Sequence, residues 1–207
     1  MVIKVITNSV GTKYNIPYPY KTFPELIGGE THYAFMAVGA LSKVLSLNIK
    51  EDDLIIFNIG VNDCIFRKDK VIQLDVLNGL MIEAELNKDY ASIKFLSKKI
   101  LYVLNKKPDE LFQILNFEEF EFYIDKMFSK VSKGIVLSVL WVNPKSKIIG
   151  WGCNEIIQTN NILKKKANQY GFEYIDLFYP PSMTFDDVHL TEEGHKYVAQ
   201  QINARFK

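Results

Sequence analysis

The amino-acid sequence predicts an α/β fold, a three-layer α/β/α sandwich in which helices cover both faces of a mainly parallel sheet. Two observations support this prediction. Short runs of β-branched and other apolar residues alternate with longer stretches of helical periodicity, the order expected of parallel strands joined by helical crossovers. The apolar runs contain few polar residues, which is typical of strands buried on both faces.

Four apolar runs are predicted to be strands: Val2 to Thr7, Leu54 to Ile59, Gly134 to Val142 and Tyr174 to Phe178. A weaker strand is predicted at Glu25 to Ile27. If this weak segment is the second strand, we expect a flavodoxin-like five-stranded sheet in the order 2-1-3-4-5. The switch point of such a sheet lies between its first and third strands.

Helical periodicity marks five segments, which are Tyr33 to Leu47, Glu83 to Leu104, Phe117 to Val131, Ile156 to Tyr170 and Glu192 to Phe206. The last is the clearest, because Val198, Ile202 and Phe206 recur at intervals of four residues. Thr191 is the expected N-cap of this helix. We expect the helix to pack at the edge of the sheet.

The length of 207 residues and the hydrophobic content of 48% predict one domain, residues 1–207, with one core. The segment between the strands Leu54 to Ile59 and Gly134 to Val142 is too long for a single crossover helix. We therefore predict an extra helical insertion at about residues 66–132. Its aromatic-rich second half, Leu111 to Phe128, favours helical packing over an active-site lid.

Charge and composition narrow the classes of partner. Lysine and arginine total 25 against 24 acidic residues, so a net charge of +1 does not favour nucleic acid or an anionic membrane. Cys64 and Cys153 lack metal-ligand or redox spacing, which suits a reducing compartment. The first residues lack a signal-peptide pattern, and no window approaches the roughly 18 apolar residues of a membrane span. A cytoplasmic protein is expected.

Two motifs lie in the first part of the chain. Residues 7–11 read Thr-Asn-Ser-Val-Gly directly after the first strand, where a βα turn would expose the Ser9 hydroxyl at the carboxyl edge of the sheet. Taken alone, such a serine is more often a helix cap. Residues 27–31 read Ile-Gly-Gly-Glu-Thr, a tight turn that would let backbone amides approach a bound group closely. By itself this is an ordinary loop.

Two further motifs follow later strands. Residues 59–63 read Ile-Gly-Val-Asn-Asp and direct the Asn62 amide out of the sheet edge, although Asn and Asp also form simple turns. Asp186 stands three residues before His189, where a carboxylate can hold the imidazole in one tautomer and leave the other nitrogen to accept a serine proton. The alternatives are a solvated acidic loop, or Asp187 in place of Asp186.

Together the four motifs resemble the four sequence blocks of the SGNH/GDSL hydrolase family of esterases and lipases, over nearly the whole chain. The resemblance implies a catalytic triad of Ser9, Asp186 and His189, with Ser9 as the nucleophile. It also implies an oxyanion hole formed by the backbone amides of Ser9 and Gly29 and by the side-chain amide of Asn62.

The first block departs from the family's Gly-Asp-Ser-Leu pattern. Thr7 and Asn8 replace the glycine and the aspartate, and Val10 follows the serine; Asn8 can still form hydrogen bonds that shape the turn. In the second block Gly29 is preferred to Gly28, because Gly-Glu-Thr is similar to the Gly-Asp-Thr of some family members. The two glycines are adjacent, so this choice stays open.

The resemblance implies a serine hydrolase that cleaves an acyl ester, with a short acyl group such as acetyl on a carbohydrate or small alcohol. The alternatives are an acyltransferase with the same site and a catalytically silent binding module. No histidine or carboxylate group has metal-ligand spacing, and no loop matches a nucleotide fingerprint, so neither metal nor cofactor is expected. His32 and His195 lack an Asp-x-x-His partner and are predicted to be structural or exposed.

Overall fold

The computed structural model describes residues 1–12, 20–64, 69–107, 110, 112–139, 153–177, 181–185 and 188–205. Five parallel strands form one sheet in the order β2-β1-β3-β4-β5. They are β1 (Ile3–Thr7), β2 (Glu30–Tyr33), β3 (Leu54–Asn58), β4 (Gly134–Leu137) and β5 (Glu173–Ile175). The α/β fold and the strand order 2-1-3-4-5 are therefore confirmed.

The helices are α1 (Phe23–Leu26), α2 (Ala37–Ser46), α3 (Val61–Cys64), α4 (Lys70–Leu86), α5 (Tyr90–Leu104), α6 (Phe117–Phe128), α7 (Cys153–Gln169) and α8 (Glu192–Asn203). Helix α6 packs between α2 and α7, whereas α1 packs on α8. These two groups of helices form the outer layers of the sandwich. None of the helices in the described ranges has the length and apolar character of a bilayer span.

The predicted strand at Glu25 to Ile27 is wrong, because these residues belong to α1 and the turn that ends it. A capping box starts this helix: the Glu25 carboxylate accepts a hydrogen bond of 2.8 Å from the backbone N–H of Thr22. Pro24 in the first turn further favours a helix, since its missing N–H would have no intrahelical partner there.

The second strand is instead Glu30–Tyr33, and the predicted helix from Tyr33 to Leu47 begins only at Ala37. Strand β2 lies at the sheet edge, and three of its four residues are exposed. An edge strand of this kind contains no apolar run, which explains why the sequence pattern did not reveal it. His32 accordingly lies in a strand and not at the start of a helix.

The predicted helix from Glu83 to Leu104 is two helices, α4 and α5. Lys88 between them has a left-handed backbone with φ of 54°, and Asp89 caps α5 by accepting a 3.2 Å hydrogen bond from the N–H of Ser92. Helices α4, α5 and α6 all lie in the long segment between β3 and β4. Phe120 and Phe128 of α6 are fully buried, so this aromatic segment packs into the core.

The core lies on both faces of the central strands. Every residue of β3 is buried, and Phe57 packs against Phe128 with ring centroids 4.9 Å apart. At the amino end of β1, Lys4 Nζ lies 2.7 Å from Asp53 Oδ2 in a buried ion pair. This hydrogen bond from Lys4 lowers the pKa of Asp53 to about 2.

Candidate active site

Ser9 lies in a short 3-10 turn that follows β1 at the carboxyl edge of the sheet, and it is partly exposed. Asn8 begins this turn, and its side-chain oxygen accepts a 3.0 Å hydrogen bond from the N–H of Val10. The backbone N–H of Asn8 donates to the carbonyl oxygen of Asn58 in β3, at 3.2 Å. Asn8 therefore shapes the serine turn, as expected for the residue that replaces aspartate.

Thr7 stands where the resembled family has glycine, and its side chain is fully buried beneath the turn. Its hydroxyl donates a 2.9 Å hydrogen bond to the side-chain oxygen of Asn58. A Cβ atom at Gly11 would collide with the Thr7 side chain. The threonine and the glycine are therefore complementary, and together they accommodate the departure from the family pattern.

Asn62 and Asp63 lie in α3, just beyond β3, and both hold the segment that follows β2. The side-chain nitrogen of Asn62 donates a 3.1 Å hydrogen bond to the carbonyl oxygen of Phe35. The fully buried Asp63 carboxylate accepts a 2.6 Å hydrogen bond from the N–H of Ala37, at the start of α2. A carboxylate at a helix N-terminus is favourable, because it meets backbone N–H groups and the positive end of the helix dipole.

The three strands β2, β1 and β3 end at the same level. Thr7 pairs with Tyr33 on one side and with Asn58 on the other, and the N–H of Ala34 donates to the Thr7 carbonyl at 2.8 Å. Residues just past these strand ends therefore lie at one edge, next to the switch point where ligands bind in sheets of this order. These residues include Ser9, Phe35 and Asn62.

Gly29 lies at the opposite edge of the sheet, at the amino end of β2. Its N–H donates to the Pro24 carbonyl at 2.8 Å, and a Cβ atom there would lie 2.9 Å from the side chain of Val5. The four residues of β2 separate it from the carboxyl edge, roughly 13 Å at the usual rise per residue. The structure therefore does not bring Gly29 to the other site residues, and its amide is already engaged.

Gly29 was expected at the site because the second strand was predicted in the wrong place. The sequence put a strand before the two glycines, whereas the structure has a strand after them. The segment that reaches the site from β2 is Ala34–Met36, which contains no glycine. In the sequence, the apolar pattern of α2, which begins right after this segment, was the one signal that could have located it.

His189 lies in the segment between β5 and α8, in a short antiparallel hairpin. Thr184 and Leu190 form its bridge, and the N–H of Phe185 donates to the His189 carbonyl at 3.0 Å. The rings of Phe185 and His189 stack with centroids 5.7 Å apart. Asp186 and Asp187 lie outside the described residues.

Thr191 caps α8 as predicted, accepting a 3.2 Å hydrogen bond from the N–H of Gly194. Its own N–H donates to the Met183 carbonyl at 2.8 Å. A Cβ atom at Gly194 would collide with that same carbonyl oxygen. Gly194 is therefore required for the hairpin to pack on the first turn of α8.

The packing of α8 places the hairpin before it next to the segment that follows the serine turn. Strand β5 lies at the sheet edge farthest from β2, whereas α8 packs on α1, which connects β1 to β2. Tyr20, which follows the serine turn in sequence, donates a 2.9 Å hydrogen bond from its hydroxyl to the carbonyl of Leu190. The residue after His189 is thus joined to the segment between the serine turn and α1.

The other two histidines have separate surroundings. His195 is 1% exposed, and its Nδ1 accepts a 3.1 Å hydrogen bond from the N–H of Phe23. Burial lowers the pKa of His195 to about 4, so the ring is neutral and structural, as predicted. Burial also lowers the pKa of His32, although its Nε2 lies 3.8 Å from Glu30 Oε2. Within the described ranges, no group of three or more metal-ligating side chains is present.

A five-stranded parallel sheet of this order, flanked by helices, is the α/β fold of SGNH-type serine esterases. The chain belongs to the GDSL-like Lipase/Acylhydrolase family, which it matches over residues 20–202. This range includes Asn62 and His189 but begins after Ser9. No curated protein sequence matches the chain.

Solved structures with the same fold are similar over nearly the whole chain. A catalytic mutant of the acetylxylan esterase Axe2 from Geobacillus stearothermophilus is 11% identical, with a TM-score of 0.55 and coverage of 97% of this chain and 92% of that one. The α/β hydrolase LAE5 from the metagenome of Lake Arreo, Spain, is 12% identical, with a TM-score of 0.56 and coverage of 98% and 93%. A GDSL-like lipase from Bacteroides thetaiotaomicron is 14% identical, with a TM-score of 0.52 and coverage of 98% and 86%.

Proposed function

We propose that this protein hydrolyses an acyl ester, with Ser9 as nucleophile, His189 as general base and Asp186 as the residue that orients His189. The observation that best supports the proposal is that Ser9 and Asn62 follow the neighbouring strands β1 and β3, while the chain that follows β5 contains His189 and contacts Tyr20. Family membership supports the same reaction class.

In the first step His189 accepts the hydroxyl proton as Ser9 Oγ attacks the ester carbonyl carbon. The tetrahedral intermediate collapses, and the alcohol leaves with the proton held by His189. A water molecule, deprotonated by His189, then attacks the acyl-enzyme carbonyl carbon. The bond to Ser9 Oγ breaks, the carboxylic acid is released, and His189 returns the proton to Ser9 Oγ. The carboxylate of Asp186 would stabilise the imidazolium formed in both steps.

The oxyanion is stabilised by the Ser9 amide and by the side chain of Asn62. A side-chain amide has two N–H donors, and one of those of Asn62 serves the Phe35 carbonyl. This hydrogen bond fixes the plane of the amide group and therefore the directions of both of its N–H groups. Because Gly29 lies at the other edge and the N–H of Ala34 bonds to Thr7, a further backbone donor from the β2 side would come from Phe35 or Met36.

The spacing of Asp186 and His189 has a parallel in a protein of the same fold. Catalytic mutants of the acetylxylan esterase from Geobacillus stearothermophilus replace a serine, an aspartate and a histidine, with the aspartate three positions before the histidine. That enzyme also supports our choice of substrate class for this chain. We propose a short acyl group, of which acetyl is the smallest, on a carbohydrate or small alcohol.

A fluorophosphonate probe followed by mass spectrometry tests the nucleophile. We expect labelling at Ser9 and loss of p-nitrophenyl acetate hydrolysis in Ser9→Ala. The matched control is Ser97→Ala, which removes an exposed serine hydroxyl on α5. Labelling of another serine, or full activity of a folded Ser9→Ala variant, would contradict the proposal.

Product analysis with an added alcohol distinguishes hydrolysis from acyl transfer. A silent binding module would show neither labelling nor turnover.

A further inference from the structure

Helices α4 and α5 expose more apolar surface than the other helices. In the described ranges, four large hydrophobic side chains of α4 and four of α5 are exposed, whereas α2, α6 and α7 expose one each. Leu86 is 78% exposed, Tyr90 76% and Leu101 61%. Single exposed apolar residues are ordinary on a protein surface, but a group on two adjacent helices indicates an interaction surface.

The exposed residues of the two helices follow the same spacing. On each helix five exposed residues recur at intervals of four and three: Val71, Asp75, Asn78, Ile82 and Glu85 on α4, and Tyr90, Lys94, Ser97, Leu101 and Leu104 on α5. This spacing keeps each set in one stripe and is typical of helices that pack in bundles. The opposite side of each helix faces the core, where Leu77 and Leu96 are fully buried. The two stripes therefore lie side by side on an outer surface, the α4–α5 face.

The two stripes of the α4–α5 face differ in charge. Asp75 and Glu85 make the α4 stripe acidic, whereas Lys94 makes the α5 stripe basic and Lys98 lies beside it. None of these four side chains forms an ion pair within the part of the chain that the structure describes. A surface with an acidic half and a basic half is complementary to a second copy of itself, provided that α4 meets α5. Packing of α4 on α4 would bring like charges together.

The antiparallel packing of α4 and α5 places Asp75 and Lys98 at the same level. Lys70 Nζ donates to the Leu104 carbonyl, so the start of α4 lies beside the end of α5. Asp75 follows Lys70 by five residues and Lys98 precedes Leu104 by six, which is about 8 and 9 Å along the helix axes. A two-fold axis parallel to the helices preserves this level. Asp75 would then face the partner subunit's Lys98, and Val71 would face the partner subunit's Leu104.

We propose that the α4–α5 face binds a second copy of this chain in a two-fold symmetric dimer. In this dimer α4 of each subunit packs on α5 of the partner, so that the four helices form a bundle. The apolar residues at the two ends of the face supply the contact, and the pairs of Asp75 with the partner subunit's Lys98 select this arrangement. None of the residues proposed for catalysis belongs to the face, so the inference does not depend on the proposed function.

Sedimentation velocity of the full chain tests the proposal. We expect the wild type to sediment as a dimer at micromolar concentration. Leu101→Glu should sediment as a monomer, because the dimer would bury two unpaired carboxylates. Ile157→Glu is the matched control, since it replaces an exposed apolar side chain of α7 and should stay dimeric. Circular dichroism should show the same helical content in both variants, because both positions are exposed.

Charge reversal tests how the subunits are arranged. Asp75→Lys and Lys98→Glu should each raise the dimer Kd by about 10-fold or more, because each change brings like charges together at two symmetric contacts. An equimolar mixture of the two variants should recover an affinity close to that of the wild type. Both contacts of the mixed dimer again join opposite charges, which holds only if position 75 of one subunit faces position 98 of the other.

Three outcomes would overturn the proposal: a wild type that stays monomeric at every concentration reached, a folded Leu101→Glu variant that stays dimeric, or a mixture of charge variants that associates as weakly as either variant alone. A monomeric wild type that co-sediments with vesicles of phosphatidylcholine and phosphatidylglycerol would also overturn it, and would assign the α4–α5 face to a lipid surface.

Discussion

The hydroxyl of Tyr20 donates a hydrogen bond of 2.9 Å to the carbonyl oxygen of Leu190, the residue after His189. The ring of Tyr20 also lies 5.7 Å from that of His195 in α8, and His195 accepts the N–H of Phe23 at the start of α1. The segment before α1 therefore contacts both the histidine hairpin and the helix that follows it. This contact fixes the hairpin against the part of the chain that follows Ser9.

Tyr20→Phe should lower turnover through the position of His189. The variant keeps the ring on His195 but leaves the Leu190 carbonyl without its donor, at a cost of about 1 kcal/mol in the free energy of unfolding. We expect kcat to fall by up to about 10-fold, with KM nearly unchanged. Tyr170→Phe is the control, because Tyr170 follows α7 and its hydroxyl bonds to the Asp125 carboxylate of α6. Equal effects of the two changes on kcat would show that Tyr20 is not a positioning residue.

The buried His195 should make stability depend on pH in the mildly acidic range. Its folded-state pKa is about 4, below the ordinary value of 6.5, so the unfolded chain binds the proton first as pH falls. Stability is therefore complete above about pH 6.5, declines between pH 6.5 and 4, and levels off below, with a total loss of about 3 kcal/mol. Urea unfolding of the wild type and of His195→Gln measures this, and the decline should be largely absent in the variant. Parallel curves would contradict the prediction.

The ion pair of Lys4 and Asp53 should make stability depend on pH in a lower range than His195 does. The folded pKa of Asp53 is about 2 against an ordinary 3.8, so its contribution to stability is complete above about pH 4 and is lost as pH falls through 2. Asp53→Asn should be less stable than the wild type at pH 7, and the difference should shrink as pH falls from 4 to 2. A difference that does not change with pH would mean that the effect is steric and not electrostatic.

Asn62→Ala should lower kcat by about 10²- to 10³-fold, the usual effect of removing one oxyanion donor. Some destabilisation is also expected, because the Phe35 carbonyl loses its partner. Asn87→Ala is the control, since that side chain bonds to Ser42 at the far end of α4. Asn87→Ala should lose stability without losing turnover. An unchanged kcat in Asn62→Ala would show that Asn62 has only a structural role.

We expect Asp186, and not Asp187, to orient His189. Asp186→Asn removes the charge that stabilises the imidazolium and, in triad-type hydrolases, costs up to about 10⁴-fold in kcat. Asp187→Asn is the neighbouring control and should be far milder. Steady-state kinetics of the two variants decide between the residues: a larger loss in Asp187→Asn would reverse the assignment and keep His189 as base.

The sequence by itself was sufficient to predict the α/β class, the strand order, the serine turn and the capped helix α8. These features depend on local signals: buried strands are continuous apolar runs, and Thr191 caps the helix that begins next to it. The role of Asn8 could also be predicted, because its side chain bonds within its own turn. Residues that act on their near neighbours can be recognised from pattern alone.

Only the tertiary structure decided which segment reaches the site from β2. An exposed edge strand leaves no apolar pattern, so Gly29 was expected at the carboxyl edge but lies at the amino end of β2. The contacts of Phe35 with Asn62 and of Tyr20 with Leu190 join residues that are 27 and 170 positions apart. Such pairs are brought together by the register and layering of the whole sheet, and neither spacing nor residue type specifies them.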